Sequence, residues 1–500
     1  MVKLACSTAL FWALPTNIRP LIRIAYLSQR RAYSQSKCST RKQLTIAGVD
    51  YPTDSWTNVP RAILSNYGRK LHISQHHPLA ITRQLIESRF VGFKNHNNLP
   101  GVVTVDQNFD SLGFAPDHPG RSKTDTYYVN ESTLLRTHTT AHERDIFRDN
   151  QSDGWTLAAD VYRRDAVDRS HYPIFHQMEG ALTWHRPNFS SRDACLDAIK
   201  DSLRKLPKHD LAVEDPNPPF HPDHNPLQEK YHSPEEAEAV GAHLKRSLED
   251  VVVTIFTEAD KALASAGQAS STEQEPLKVR WVEAFFPHTS PSWELEVWWR
   301  GDWLEVLGCG VIDQPLLIRA NQPDRIGWAF GIGLERIAML LFGIPDIRLF
   351  WSKDERFLRQ FRAADPYKRF QPFSKHPAAP RDVAFWLPAS AQGPVVADTP
   401  ASNSSAPSPA GGQRTETVKA GVEPVFHEND LMEVVRMIAG DAVEDVKLID
   451  DFTHPKNQRR SLCYRVEYRS LERTLTAEEV NAMHEQVCSE LVGRFNVEIR

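Results

Sequence analysis

The 500-residue sequence predicts an α+β protein: an antiparallel-sheet core followed by a small C-terminal block of mixed strands and helices. Three observations predict it. Strand-like segments follow one another across turns too short to hold a crossover helix, which excludes a parallel doubly wound sheet. A long amphipathic helix precedes them. The C-terminal block runs strand, helix, strand, strand, helix, strand, which is the ferredoxin-like order.

Taken in chain order, residues 1–49 come first. They hold eight basic residues and no acid, and are rich in Ser, Thr, Leu and Ile. Such a composition marks a mitochondrial presequence. Arg31-Ala32-Tyr33-Ser34 resembles a matrix-protease site, so a presequence is expected over 1–33, with flexible chain to about 49 and a mature protein in the mitochondrial matrix. Removing the eight positive charges takes the formal net charge from −5 to −13. The apolar run Leu4–Pro15 is too short to span a bilayer, and no membrane partner is expected.

Residues 207–234 are rich in Pro and His and read as a loop insert. His209, His221, His224 and His232 fit no ligand spacing. A helix is predicted over 234–265. Ser233 caps it, Pro234 suits its first position, Glu236 completes a capping box, and Val240, Leu244, Leu248, Val251, Ile255, Ala259 and Leu263 form its apolar stripe. Strands are predicted at Val279–Phe286, Trp293–Trp299 and Trp303–Val311. In the second, Trp293, Leu295 and Val297 alternate with Glu294 and Glu296.

Residues 391–421 contain 21 Ala, Gly, Pro, Ser or Thr in 31 positions, so a disordered insert is expected over 389–424. The C-terminal elements are then Val383–Leu387, Asp430–Ile438, Val443–Phe452, Leu462–Arg469, Ala477–Leu491 and Phe495–Arg500. No CxxC pair joins the six cysteines, which argues against a zinc ribbon, a thioredoxin site or a disulfide scaffold. The net charge argues against a broadly basic nucleic-acid binder.

Two segments carry chemistry. Asp160-Val161-Tyr162-Arg163-Arg164-Asp165 places arginines at a strand end, where they can fork onto phosphate, although alone such a turn is usually solvated surface. Gly327 to Met339 runs a glycine-rich strand into a helix that opens with Glu335 and Arg336. Neither a Walker A loop nor a dinucleotide fingerprint is present.

Together these segments resemble the second and third motifs of class II aminoacyl-tRNA synthetases. Further matches are Asn108-Phe109-Asp110, Asp117-His118-Pro119, Asp125 to Tyr128, Leu134 to His142, His171-Tyr172-Pro173, Phe175 to Gly180, Trp303 to Gly310 and Ile344 to Trp351. Phe373 to Lys375, Phe385 to Leu387, Gly440-Asp441, Phe452 to Lys456 and Tyr468 to Leu475 follow. From about His77 to Arg500 the chain resembles the single-chain mitochondrial phenylalanyl-tRNA synthetases.

The resemblance implies a class II catalytic domain over 50–369 and an anticodon-binding domain over 370–500. It implies that phenylalanine attacks the α-phosphate of ATP, with Mg²⁺, and that the adenylate then esterifies mitochondrial tRNA(Phe). A monomer is implied. Arg163 would meet the α-phosphate, Arg336 the adenine and distal phosphates, Phe175 the adenine face, His171 the phosphates, and Glu305 the ATP site through Mg²⁺; no protein-only metal site is expected. The amino-acid pocket would draw on Thr140, Ala141, His142, Glu143, Gln177, Met178 and Glu179, with Phe286, His288 and Phe330 around the ring. Lys456, Arg459, Arg460, Arg465, Arg469 and Arg473, within 18 residues, would contact tRNA.

Three departures stand out. His288 replaces a usual phenylalanine, Glu143 a common glutamine, and His376 to Pro380 lacks the usual Cys or Tyr. The alternative function is a non-catalytic tRNA-binding paralogue, which the retention of Arg163, Glu305 and Arg336 argues against.

Overall fold

The computed structural model describes residues 43–265, 277–299, 301–362, 367–372, 376–388 and 426–500. The expected presequence 1–33, the match at Phe373 to Lys375 and the expected insert 389–424 lie outside them. The flexible stretch expected to reach about residue 49 is corrected. Gln43–Ile46 and Val49–Pro52 pair as an antiparallel hairpin. Its two-residue turn, Ala47-Gly48, has φ of 50° and 82° at its two positions, the positive values that match strand twist. The described residues 43–54 belong to a separate unit, and the following description concerns Ser55–Arg500.

That unit is built on an eight-stranded sheet. Its strands are β1 (Lys94–His96), β2 (Gly154–Tyr162), β3 (Ile174–His185), β4 (Val213–Glu214), β5 (Val279–Phe286), β6 (Thr289–Trp299), β7 (Asp302–Ile312) and β8 (Arg325–Gly333). The spatial order is β1-β2-β3-β8-β7-β6-β5-β4. All internal pairs are antiparallel, and only the two short outer strands pair in parallel. β6 begins four residues before the expected Trp293, and the turn before it is Pro287-His288. The expected loop insert supplies β4 and is stitched to the sheet, with Asn225 buried and its Nδ2 donating to the Ser292 carbonyl at 3.0 Å.

Helices cover one face: α1 (Pro78–Glu87), α3 (Arg192–Lys205), α4 (Pro234–Ser265) and α5 (Leu334–Phe342). The short α2 (Glu143–Asp149) lies at the site end of β3. Cap and apolar stripe set the bounds of α4. The Glu236 backbone N–H donates to Ser233 Oγ at 3.2 Å, and the Ser233 N–H donates to Glu236 Oε2 at 3.0 Å. Val240, Leu244, Leu248, Val251 and Ile255 are each no more than 1% exposed. Gly241 lets this helix settle on the sheet, because a Cβ there would stand 3.0 Å from the Trp293 ring. Burial of five such side chains contributes about 1.5–3 kcal/mol each before entropy is counted.

The C-terminal lobe has strands β9 (Ala379–Trp386), β10 (Val443–Thr453), β11 (Arg460–Tyr468) and β12 (Glu498–Ile499), ordered β10-β11-β9-β12. Helices α6 (Glu428–Ala439) and α7 (Ala477–Phe495) cover one side. This is the ferredoxin-like order. α7 runs on to Phe495, and Asn496 closes it with a φ of 51°, so the last strand starts later than expected.

The lobe adheres to the core through arginines. Arg348 Nη1 donates to the carbonyls of Asp441, Val443 and Arg469, at 2.7–3.1 Å, while its other nitrogens hold Asp346. Arg436 donates to the Asp165 and Ala166 carbonyls. Arg164 donates to Asp430 at 3.0 Å. No helix among the described residues is long and apolar enough to cross a membrane.

Candidate active site

The sheet face away from α4 is floored by small residues. Directly opposed positions in antiparallel pairs share a face. One row crosses Glu294, Gly308, Gly331, Glu179 and Leu157. The row beside it crosses Ser292, Gly310, Ala329, Ala181 and Trp155. On the other side stand Gly333, Gln177 and Ala159. Glu294 and Glu179 thus flank two glycines, with about 14 Å between their strands. Gly308 must be glycine: a Cβ there would lie 2.6 Å from the Phe286 ring, which rests on the floor.

At the Gln177 end, β2 and β3 carry the groups expected to meet the nucleotide. Arg163 follows the last residue of β2. Its Nε donates to the Thr137 carbonyl at 2.7 Å, and its guanidinium lies 5.2 Å from the Phe175 ring centre. Arg336, in the first turn of α5, donates to the Glu305 carbonyl at 2.8 Å and stays 3.7 Å from the Glu305 carboxylate. Glu305 acts electrostatically on Arg163, and Arg336 on His171. His171 Nδ1 meets Asp168 at 2.7 Å; the hydrogen bond to that carboxylate raises the imidazole above its ordinary value. Behind the floor, Glu335 accepts from the His176 backbone N–H at 2.8 Å and from its ring at 2.6 Å, tying α5 to β3.

The Glu179 end gathers several of the residues expected to bind the amino acid. Thr140 Oγ1 donates to Glu179, and the Thr139 backbone N–H donates to Gln177 Oε1 at 3.3 Å. Glu143 is buried, and its Oε2 meets no donor. His288 lies 6.1 Å from Phe286, ring centre to ring centre, with its Nδ1 buried and unpartnered. Burial lowers its imidazole to about 4, so it is neutral at physiological pH.

Four expected pocket residues are corrected. Phe330 stands opposite Gly180 and Cys309, on the helix side of the sheet, where it stacks on Phe90 at 5.1 Å. Met178 alternates to the same rear face and is fully buried there. Ala141 packs into a core cluster with Val103, Phe109, Tyr128 and Leu134. His142 is turned to Arg136, whose Nη1 meets its Nε2 at 2.9 Å, and Arg136 pairs with Asp160.

Three residues were missed. Ala329 occupies the site-face position that Phe330 was expected to fill; the parity of Gly331 and Gly333 gives it away. Glu294 is 6% exposed and has a buried, unpartnered Oε1; burial and the neighbouring Glu305 and Glu296 raise its carboxyl to about 7. His138 stacks on Phe114 at 5.6 Å and neighbours both Arg163 and His288.

The expected tRNA-binding patch is also corrected. Arg459 pairs with Glu498, Arg460 with Asp451, Arg465 with Asp382, Arg469 with Glu444 and Arg473 with Glu479. These partners stand on different elements, so the cluster in sequence is not one basic surface. Lys456 is exposed near the β10–β11 turn. On the open side of the lobe's sheet stands another group. Trp386, Phe452 and His454 lie 6.2–6.3 Å apart, ring to ring, and Arg459 and Arg500 flank Trp386 at 5.4 and 5.6 Å.

Residues 63–214 and 247–361 match the family model of the tRNA synthetase class II core domain (F). Residues 422–500 match the ferredoxin-fold anticodon binding domain. Fold and site thus define a class II aminoacyl-tRNA synthetase. The chain is 46% identical to "Phenylalanine--tRNA ligase, mitochondrial" of Saccharomyces cerevisiae, over 94% of this chain and 97% of that protein. It is 37% identical to the Mus musculus protein of the same name, over 97% and 96%. A Vibrio cholerae phenylalanine–tRNA ligase alpha subunit is 31% identical over 59% of this chain and 70% of its own length. The chain belongs to the family of mitochondrial phenylalanine–tRNA ligases.

Proposed function

We propose that the chain activates phenylalanine with ATP and transfers it to mitochondrial tRNA(Phe), acting as a monomer in the matrix. The observation that carries this is the trough itself: a glycine floor with ammonium-binding carboxylates at one end and Arg163, Phe175 and Arg336 at the other. The arrangement suits an aminoacyl-adenylate laid across β3, β8 and β7. The phenylalanine carboxylate attacks the α-phosphorus and pyrophosphate leaves. Arg163 sits where charge develops at that phosphorus, held in place by the Thr137 carbonyl before substrate arrives. Phe175 and Arg336 bracket the adenine, and His171, its imidazole raised by the hydrogen bond to Asp168, faces the phosphates. Thr140, Gln177 and Glu179 orient the amino group, and Phe286 and His288 the ring.

Glu305 and Glu294 supply hard oxygen ligands for Mg²⁺. Their mutual repulsion, with Glu294 Oε1 lacking a donor, is a charge arrangement that a divalent ion relieves. When bound, the ion would supply charge neutralisation on the nucleotide phosphates. For tRNA we assign Trp386, Phe452 and His454 with Arg500 and Lys456, because unpaired bases stack on such surfaces.

Phenylalanine-dependent ATP–pyrophosphate exchange, followed by aminoacylation of mitochondrial tRNA by the mature protein, tests the reading. Exchange without added tRNA is expected. Its absence in pure, folded protein would sink the enzyme and leave the tRNA-binding paralogue.

A further inference from the structure

We propose that Asn108 is a positioning residue for the activation step: it locks Thr137 and, through the Thr137 carbonyl, aims Arg163 at the reacting phosphorus. The inference rests on Arg163 meeting the α-phosphate of ATP. Asn108 ends the one-turn helix Val105–Asn108 and is fully buried. It bonds twice to one distant residue. Its Nδ2 donates to Thr137 Oγ1 at 2.8 Å, and its Oδ1 accepts from the Thr137 backbone N–H at 3.0 Å. Thr137 is buried too, and its carbonyl accepts from Arg163 Nε at 2.7 Å.

Each link restricts the next. A backbone N–H only donates, so it fixes which end of the Asn108 amide is oxygen and turns the nitrogen to the hydroxyl. The two bonds together hold both the main chain and the side chain of Thr137. The same segment is tied to β2, because the Tyr162 N–H donates to the Arg136 carbonyl at 2.9 Å. The Arg163 N–H donates to the Pro173 carbonyl at 3.0 Å. Arg163 is thus held at its main chain, at Nε by a carbonyl, and against the Phe175 ring. A carbonyl and a ring orient the guanidinium without spending its charge. A bond through Nε also leaves its two Nη groups the geometry to fork onto phosphate. Such preorganisation is what makes a cation effective at a developing charge.

Asn108 is itself anchored. Thr104 and Gln107 cap its short helix reciprocally, and Gln107 Nε2 donates to Asp145 of α2 at 2.9 Å. The next residue, Phe109, is buried in the core cluster that holds Ala141. Asp110 pairs with Arg121 at 2.7 Å. The tripeptide Asn108-Phe109-Asp110 is therefore a fixed base, and only its first residue reaches toward the site.

The test is phenylalanine-dependent pyrophosphate exchange. Asn108→Ala should lower kcat by up to about 10²-fold, the cost of a reacting group displaced by about 1 Å. The KM for phenylalanine should change by less than about threefold, because the lost interaction serves the transition state. A double-mutant cycle separates aiming from general support. In an Arg163→Ala enzyme, Asn108→Ala should cost less than about twofold more, since nothing is left to aim. A full further loss in that background overturns the proposal. So does an Asn108→Ala kcat within about threefold of the unaltered enzyme, or a loss that falls on the phenylalanine KM instead. If Asn108→Ala fails to fold, Thr137 decides. Thr137→Val, which removes the hydroxyl, should lower kcat about tenfold more than Thr137→Ser, which keeps it. Equal kcat in those two variants overturns the proposal as well. If these failures come with normal exchange in the unaltered protein, the role of Asn108 alone falls; if the unaltered protein shows no exchange, the function falls with it.

Discussion

The core and the C-terminal lobe treat charge in opposite ways. Around the core site, Glu143, Glu294 and His288 are buried with polar atoms unanswered, and Arg336 is held mainly by a backbone carbonyl. On the C-terminal lobe, Arg459, Arg460, Arg465 and Arg473 are each matched to a carboxylate at 2.7–2.8 Å. Unanswered buried groups cost stability and are tolerable where a ligand completes them. Matched surface pairs contribute little, because exposure and salt screen them. The difference teaches that a run of arginines in sequence is poor evidence for a polyanion site until its partners are known.

Substitutions can break or sharpen this contrast. The largest effect is expected from Arg163→Ala, which removes a preorganised group at the reacting phosphorus. The kcat for pyrophosphate exchange should fall about 10²–10³-fold, while thermal unfolding changes little. A fall of less than about tenfold would remove Arg163 from the chemistry.

Next come the lobe residues. Trp386→Ala should weaken tRNA binding by about 1–3 kcal/mol, as for one lost base stack, and leave pyrophosphate exchange intact. Arg465→Ala, which breaks only an exposed pair, should change tRNA affinity much less. If the two variants behave alike in filter binding, the assigned surface is wrong.

A smaller effect is expected from Asp168→Asn. Asp168 raises the His171 imidazole above its ordinary value, and His171 holds Asp168 well below the usual carboxylate range. The charged His171 is therefore present below its raised value and is lost as pH climbs through it. The KM for ATP should rise on that alkaline side, and Asp168→Asn should move the rise to lower pH. Identical pH profiles would show that His171 does not face the phosphates. The smallest effect is expected from His288→Phe, which removes a neutral hydrogen-bonding edge from the ring pocket. Tyrosine activation relative to phenylalanine should fall; an unchanged ratio would dismiss His288 as a determinant of selection.

Much of the fold was legible because it is set locally. Ser233 and Glu236 cap α4, alternation marks β6, and the element order marks the C-terminal lobe. In the candidate site, the sequence reading and the sheet pairing agree on a shared face for Gln177 and Glu179. Phe330 and Met178 were misread because strand residues alternate between faces, and the face turned to the substrate is fixed by pairing with distant strands. Ala141 and His142 lie in a tight 3-10 turn, where neighbours point in different directions. The arginine pairs join residues as far apart as Arg465 and Asp382, a relation that spacing does not show.

Arg163 and Arg164 are neighbours in sequence with different duties. The first is the arginine proposed to meet the nucleotide; the second grips Asp430 at the start of α6, while Arg436 farther along that helix holds the two peptide groups that follow. The boundary between the two folds is thus a poor place to cut and rejoin. A chimera that takes its C-terminal lobe from a relative inherits new partners for the Arg164–Ala166 segment. Unless α6 and this loop travel together, the graft will reposition the nucleotide arginine along with the lobe.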